Sequence, residues 1–378
     1  MDITIISPYV YGYFNEERGP TPGGAQRQQY IVSKELIKRG HQVSFIVGDF
    51  GQDSIETIDQ VKFIKGAPTQ NSDTLGNGKS LIRLVWSMNF TNSDLYLVRG
   101  SPKLAIATYY IARILRKPFV FRLANDSDAD PQHLENKYSK PVDYLYQHTI
   151  SGASEVMSQT NQQKNMLKQN FNMNSQVVPN AYNVPPREKL VSHKDRGGIL
   201  WVGSSDQEQK KPERFLELAD KIPNKSFKMI SKPLPTDEGY HRILQHKAEK
   251  INNLLFLGEI SPSKVHEHFR KSKALVNTSD YEGFPNTFLE AWRYETPVIS
   301  LHFDPDEILK STDMGIFSGS MSKMIDDIVF LDESIDERMM MGEAGRNYVI
   351  ENHSLERVTD KYEKIFRQSI RDHSPELS

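Results

Sequence analysis

Short apolar runs rich in β-formers alternate with amphipathic stretches of helical length from one end of the chain to the other, and this alternation leaves few folds open. The runs fall at residues 3–7, 42–47, 61–65, 95–98, 119–123, 155–159 and 176–178, then at 198–202, 226–230, 254–257, 274–278, 297–301 and 315–317. A strand, a helix and a second strand close as a βαβ unit with parallel strands. The expected class is α/β, with two Rossmann-like, doubly wound parallel sheets. Length agrees, since 378 residues at roughly 150 per domain make two cores. No fixed-period repeat is present, which removes solenoids and propellers.

Residues 178–187 read Val-Pro-Asn-Ala-Tyr-Asn-Val-Pro-Pro-Arg, and their prolines and asparagines interrupt both strand and helix periodicity. Domains are therefore expected at 1–178 and 197–354, joined by a linker at 179–196. A C-terminal helix in 355–378 is expected to pack back across the boundary. Open α/β sheets bind ligands at the carboxyl ends of their strands, so two facing sheets would make a cleft, and function is expected there.

Composition narrows the class. The chain has no cysteine, which removes disulfide frameworks, thiolate nucleophiles and cysteine-ligated metals and fits a reducing cytoplasm. A net charge of −2 gives no general attraction for polyanions, so nucleic acid is not an expected partner. Residues 1–6 read as a first strand, with an acid where a signal peptide carries positive charge. The longest uncharged apolar stretch, 104–112, is far short of the roughly 20 residues of a membrane span. A soluble cytoplasmic protein, at most peripheral at the inner face of a membrane, is expected.

The segment from Thr278 to Trp292 follows one apolar run directly and carries Glu282 and Glu290. Pro285 is tolerated only in a first helical turn, so a helix should begin there with Glu282 in the loop before it. The amides of Asn286 and Thr287 then lack intrahelical partners at the positive helix end, which suits an anion. Carboxylates repel phosphate oxygens but accept hydrogen bonds from the vicinal hydroxyls of a ribose or hexose. A sugar nucleotide has both features. The bland alternative is that Glu282 caps the helix and Glu290 is a solvated helix charge.

The string Glu282-Gly283-Phe284-Pro285-Asn286-Thr287, followed after two residues by Glu290-Ala291, has Glu-x7-Glu spacing and resembles the signature of the retaining glycosyltransferases of family 4, which have the GT-B fold. The resemblance implies that Glu282 touches the transferred sugar, that Glu290 holds the nucleotide ribose, and that the residues between them line the donor. Residues 199–219 agree, with a run reaching Val202-Gly203, a polar loop holding Lys210 and Lys211, and a helix opened by Pro212. A flexible ammonium there can neutralise a departing diphosphate. The family is similar, with a strand ending in Val-Gly-Arg and a lysine before the helix, both on phosphate. Lys210 fits that lysine best and Lys211 is its rival, while a solvated helix start is the bland reading of the pair. Ser204 stands where the family has arginine. One phosphate cation is thus missing, and either Lys211 or an arginine from elsewhere replaces it or activity is weak.

Gly23-Gly24 with Arg27 is similar to the family's glycine loop, which implies Gly23 and Gly24 beside the donor and Arg27 on the acceptor side. Residues 121–130 end a run in an acidic loop where the family often presents a histidine. This chain has Asn125 and Asp126 instead, so no histidine role carries over. Asp126 either hydrogen-bonds the sugar, accepts the acceptor's proton, or simply caps the loop, and Asn125 is assigned to the acceptor side. The Asp126-x-Asp128 spacing invites a metal, but Pro131 follows, no Gly-rich calcium loop is present and the GT-B design needs none, so no metal is expected. Glu259 closes a segment resembling the loop that meets the base. Residues 158–163 with 178–180 resemble the end of the family's first domain.

Residues 73–80 end like a Walker A loop, but Asp73 replaces its first glycine, so a nucleotide triphosphatase is not expected. The 11 histidines show no metal-ligand spacing. What is expected is a retaining glycosyltransferase using a UDP- or GDP-sugar as co-substrate, with no further cofactor. Its acceptor would be a glycan or lipid-linked oligosaccharide in polysaccharide biosynthesis. The alternatives are a GT-B epimerase or phosphorylase, or a sugar-nucleotide binding protein impaired by Ser204. Basic, aromatic segments at 79–90 and 103–119 either touch a membrane surface or are core-facing helices.

Overall fold

The computed structural model describes residues 1–19, 23–69, 78–234 and 236–373. The chain divides into two compact units, one running to Ala181 and resuming at Leu355, the other Tyr182–Ser354. Residues 73–77 of the Walker-like run lie outside the described residues.

The first unit holds β1 (Asp2–Ile6), β2 (Gln42–Val47), β3 (Ile55–Ile58), β4 (Val61–Lys65), β5 (Leu95–Arg99), β6 (Phe119–Arg122), β7 (Glu155–Ser158) and β8 (Gln176–Val177). Their order is β3-β4-β2-β1-β5-β6-β7-β8, parallel throughout except for β3 against β4. The sequence reading misses β3. Its hairpin to β4 turns on Asp59 and Gln60, both left-handed at φ 52° and 66°. Two-residue hairpins favour glycine there because left-handed backbone strains a Cβ, so this turn carries no glycine signal.

The second unit holds β9 (Ile199–Ser204), β10 (Phe227–Lys232), β11 (Leu254–Gly258), β12 (Ala274–Asn277), β13 (Val298–Ser300) and β14 (Gly315–Phe317). The order is β11-β10-β9-β12-β13-β14, all parallel. The chain winds outward from β9 through β10 to β11, then returns to the other side of β9 as β12. That reversal opens a crevice at the carboxyl ends of β9 and β12, and the first sheet reverses likewise between β1 and β5.

Both faces of each sheet are covered, which is why the strands read as continuous apolar runs. In the second sheet Ile199 and Trp201 pack with Phe215 on one face, while Leu200 and Ile230 pack with Phe288 and Trp292 on the other. Side chains alternate along a strand, so Ser204 belongs to the face of Leu200. Trp292 is fully buried, and its indole N–H donates to the carbonyl of Met314 at 2.9 Å. A Cβ at Gly345 would lie 2.3 Å from that ring, so only glycine lets the helix Ile335–His353 approach it.

Residues 182–196, assigned to a linker from sequence, belong to the second unit. Tyr182 is buried, and the Arg196 guanidinium donates to the carbonyls of Tyr294 and Glu295, each at 2.8 Å. In the first unit the helix Leu355–His373 places Leu355, Val358, Tyr362, Ile365 and Phe366 at three- and four-residue spacing. They join the core of Ile3, Ile5 and Phe45, and Arg39 pairs with Asp360 and Glu363 at 2.6 and 2.8 Å.

The helix Gly78–Thr91 departs from the core-facing reading. It buries Ser80, Leu84, Ser87 and Met88 but exposes Leu81, Ile82, Val85, Trp86 and Phe90. The helix Pro102–Ile114 does face the core, with Leu104, Ala105, Tyr109 and Ile111 buried. Among the described residues, no helix is long and apolar enough to cross a membrane.

Candidate functional site

The loops leaving β9 and β12 meet at the switch point of the second sheet. The Trp201 indole donates to the Thr278 hydroxyl oxygen at 2.9 Å, and that hydroxyl donates to the Lys210 carbonyl at 2.7 Å. Gly203 makes room for this ring, since a Cβ there would lie 2.7 Å from it. Asp206 folds the first loop by accepting the amides of Glu208 and Gln209 at 2.9 and 2.8 Å. Lys211 then turns left-handed, at φ 50°, to start the helix Pro212–Lys221.

That turn sends the two lysines to different carboxylates. Lys210 pairs with Glu282, whereas Lys211 lies 3.7 Å from Asp280. Arg214 also holds Asp280 and donates to the Thr278 carbonyl at 3.0 Å. Glu282 is buried, and besides Lys210 it accepts from Gln209 Nε2 at 3.2 Å and lies 2.8 Å from the Ser279 hydroxyl. Burial, together with the carboxylates of Asp206, Glu208, Glu282 and Asp280, pushes the Tyr281 hydroxyl up. The crevice is therefore a charged cluster, with cations and carboxylates interleaved.

The helix Asn286–Trp292 starts where Pro285 predicts, with Pro285 at its N-cap and no side-chain cap. Glu282 thus does not cap it. Asn286 and Thr287 are partly exposed at its first turn, and Asn286 takes a hydrogen bond from the Tyr182 hydroxyl at 3.2 Å. Gly283 and Pro285 are buried in the turn between. Phe284 faces the core, its ring 4.8 Å from His353 and 6.4 Å from Trp292. Any donor contact at Phe284 is thus left to its backbone.

Glu290 is no solvated charge, because it is 3% exposed and 3.2 Å from Arg293 Nε. Arg293 is further held by the Asn183 carbonyl at 3.2 Å and the Tyr294 hydroxyl at 2.9 Å. Ser204 ends β9 opposite Lys232 of β10. Glu259, just past β11, is exposed. Its charge acts on Lys232, whose ammonium is pushed down by burial and pulled up by that carboxylate.

In the first unit, the helix Gly24–Lys38 begins after Gly23, whose backbone is extended and whose amide donates to Gln26 Oε1 at 3.1 Å. Gly23 is therefore not required by its own dihedral angles. Arg27 lies on the first turn of that helix, partly buried. Asn125 and Asp126 follow β6 in a 3-10 turn, Asp126–Ala129. Asp126 is buried and accepts from Gln163 Nε2 at 3.0 Å and Gln162 Nε2 at 3.4 Å. Asp128 and Asp130 accept backbone amides of Ala124, Asn125 and Gln132. Among the described residues, no three His, Asp or Glu side chains are grouped to hold a metal ion.

Two arginines escape sequence reasoning. Arg99 ends β5 and donates to Gln159 Oε1 at 2.9 Å and to the Ala25 carbonyl at 3.5 Å. Arg122 ends β6, fully buried, and donates to the Val178 carbonyl at 3.0 Å and to Asn180 Oδ1 at 2.9 Å. They tie the ends of β5 and β6 to Ala25, Gln159 and residues 178–180. Each is one residue at a strand end, and only the neighbouring strands give it meaning.

Residues 196–331 match the family described as glycosyl transferases group 1. An uncharacterised glycosyltransferase of Methanocaldococcus jannaschii is 24% identical over 275 residues, 63% of this chain and 66% of that protein. A glycosyltransferase 1 domain-containing protein of Xenopus tropicalis is 27% identical over 154 residues, 40% of this chain and 44% of that protein. The matches thus span just under two thirds, and under half, of these relatives. Among solved structures, sucrose-phosphate synthase from Thermosynechococcus elongatus superposes with a TM-score of 0.80 at 15% identity, covering 98% of this chain and 100% of that one. Anabaena HepE, solved with UDP and glucose, superposes at 0.74 and 14% identity, covering 97% and 99%. At such identities the structures establish a shared fold, and the family match lies within the second unit. Residues 196–331 of the second unit thus match the group 1 glycosyltransferases, and the chain as a whole shares the GT-B fold of the solved structures.

Proposed function

We propose that the protein transfers a sugar from a nucleoside diphosphate donor to a glycan or lipid-linked acceptor, with retention at the anomeric carbon, in polysaccharide assembly. The observation that carries this reading is the Lys210–Glu282 pair beside the helix bearing Glu290, at the switch point of the second sheet. In this reading Glu290 takes the ribose hydroxyls and Glu282 the hydroxyls of the transferred sugar. Lys210 takes the diphosphate, and Glu259 lies toward the base. Of the first unit's residues, Gly23 and Gly24 serve the donor, Arg27 and Asn125 serve the acceptor, and Asp126 serves the reacting sugar.

Retention without a carboxylate nucleophile implies attack on the face the leaving group departs from. The anomeric bond to phosphate breaks as the acceptor oxygen bonds to the same carbon, and the acceptor's proton passes to the departing phosphate oxygen. The protein then has one large task, which is to stabilise charge on that phosphate. UDP is the first donor class to try, because HepE was solved with UDP-glucose and an E. coli trehalose-6-phosphate protein with UDP-2-fluoro glucose.

The test is a thermal-shift screen with UDP-, GDP- and ADP-sugars beside their free diphosphates, with and without magnesium. Saturation at about 100 times the dissociation constant adds about 2.7 kcal/mol, a shift of several degrees. No shift with any of them overturns the donor reading. Where a donor binds, the anomeric configuration of the product by NMR decides retention. Binding without transfer or hydrolysis favours the impaired binding protein that Ser204 suggests.

Peripheral membrane contact is assigned to the exposed face of the helix Gly78–Thr91, where Trp86 and Phe90 stack at 5.2 Å on a helix that also carries Lys79 and Arg83. An amphipathic helix with aromatic and basic residues suits an anionic interface. The double variant Trp86→Ala/Phe90→Ala is expected to lose about ten-fold in partition to phosphatidylglycerol vesicles. Donor binding in solution should not change. Undiminished partition in flotation removes this helix from membrane contact.

A further inference from the structure

Ser204 ends β9 where the family resemblance leads one to expect a cation, so the charge facing the donor's diphosphate must come from another residue. Lys211, one candidate, lies toward Asp280, which Arg214 also holds. β10 offers a different source. It runs parallel to β9 without a register shift, and Lys232 stands opposite Ser204. Paired residues of parallel strands share a face, and adjacent strands lie about 4.8 Å apart. A four-carbon stem is longer than that gap, so an ammonium starting at Lys232 reaches the space a long side chain at position 204 would occupy.

The face is the relevant one. Leu200 and Ile230, on the same sides of β9 and β10, pack against Phe288 and Trp292 of the helix that carries Glu290. The Lys232 backbone is also fixed to the loop leading to Lys210, because its carbonyl accepts the Ser205 amide at 2.8 Å. Lys232 itself is half-buried, where burial disfavours its charged form and the Glu259 carboxylate favours it. A cation held at a strand's carboxyl end against its own desolvation is relieved by an arriving anion.

We propose that Lys232 is the second cation of the diphosphate site, supplying from the neighbouring strand the charge that Ser204 lacks. The proposal rests on the nucleotide-sugar reading above. It also makes position 204 permissive, since the two sites serve one phosphate.

The experiment is calorimetric titration of UDP, GDP and ADP into the wild-type chain, then of the best binder and its monophosphate into Lys232→Met and Lys232→Met/Ser204→Arg. Methionine keeps the stem without the charge. Lys232→Met is expected to bind the diphosphate about 30-fold more weakly and the monophosphate less than three-fold more weakly. Adding Ser204→Arg should recover at least ten-fold of the diphosphate affinity. Undiminished diphosphate binding overturns the proposal and leaves the donor reading standing. Equal losses for both nucleotides, or no recovery with arginine, overturn it as well, since either result makes the role of Lys232 structural. A wild-type chain that binds none of the three nucleotides overturns the donor reading and this proposal together.

Discussion

Glu290→Ala is expected to weaken nucleoside diphosphate binding by about 100-fold or more. A carboxylate accepting both hydroxyls of a ribose makes two charge-assisted hydrogen bonds, each worth roughly 1.5–3 kcal/mol, and 1.4 kcal/mol is a factor of ten. The position makes the loss hard to offset. Glu290 is 3% exposed on a helix anchored by Trp292, so water does not readily replace the missing carboxylate. The substitution also removes a counter-charge 3.2 Å from Arg293 Nε. Breaking a buried pair costs up to about 3–5 kcal/mol when the surviving ion is stranded. Arg293 is not stranded, because it keeps the Asn183 carbonyl and the Tyr294 hydroxyl and lies 4.7 Å from the Tyr294 ring centre. The variant should therefore fold with a lowered melting temperature. Calorimetry with the nucleoside diphosphate and with inorganic pyrophosphate separates the causes. Pyrophosphate has no ribose, and its affinity should hold. A folded Glu290→Ala that binds the nucleotide as wild type does would sink the ribose assignment.

How far the sequence could be read depends on whether a feature is local. Strands buried on both faces, such as β1 and β12, announce themselves as apolar runs. Pro285 likewise marks a helix start that the chain cannot avoid. β3 escapes because its hairpin places Asp59 and Gln60 in left-handed backbone without a glycine. The pairing of Lys210 with Glu282 and of Lys211 with Asp280 escapes for a related reason. The turn that separates the two lysines is made by Lys211 itself, left-handed and again without a glycine. Spacing alone does not separate the two lysines. The burial of Glu290 depends on packing of the whole helix, and Arg99, Arg122 and Lys232 acquire neighbours only through strand order. A single residue at a strand end carries no pattern until the sheet is assembled. The string from Glu282 to Glu290 could be read because its residues are adjacent.

Lys210→Met is expected to lower turnover by about 10²–10³-fold while changing donor affinity by less than ten-fold, once a donor is identified. The asymmetry follows from the ion pair. The Lys210 ammonium is paired with Glu282, a buried carboxylate, so a ground-state diphosphate must share a cation that has a partner. The net gain on binding is therefore small. As the anomeric bond breaks, negative charge collects on the departing phosphate, and the attraction of Lys210 for it grows in a desolvated site where its orientation is already fixed. Removing one such preorganised group commonly costs 10²–10³ in turnover. The fold should survive, because Glu282 keeps Gln209 Nε2 at 3.2 Å and the Ser279 hydroxyl at 2.8 Å. Single-turnover rates beside calorimetric donor affinities measure the split, and equal losses in both would contradict a leaving-group role. Glu282→Gln supplies the opposite arm. It releases the ammonium from its counter-charge, so the free nucleoside diphosphate should bind several-fold more tightly while transfer falls with the lost sugar contact. If that variant binds the diphosphate no better than wild type, Glu282 does not restrain Lys210, and the explanation of the asymmetry fails even where the loss of turnover is observed.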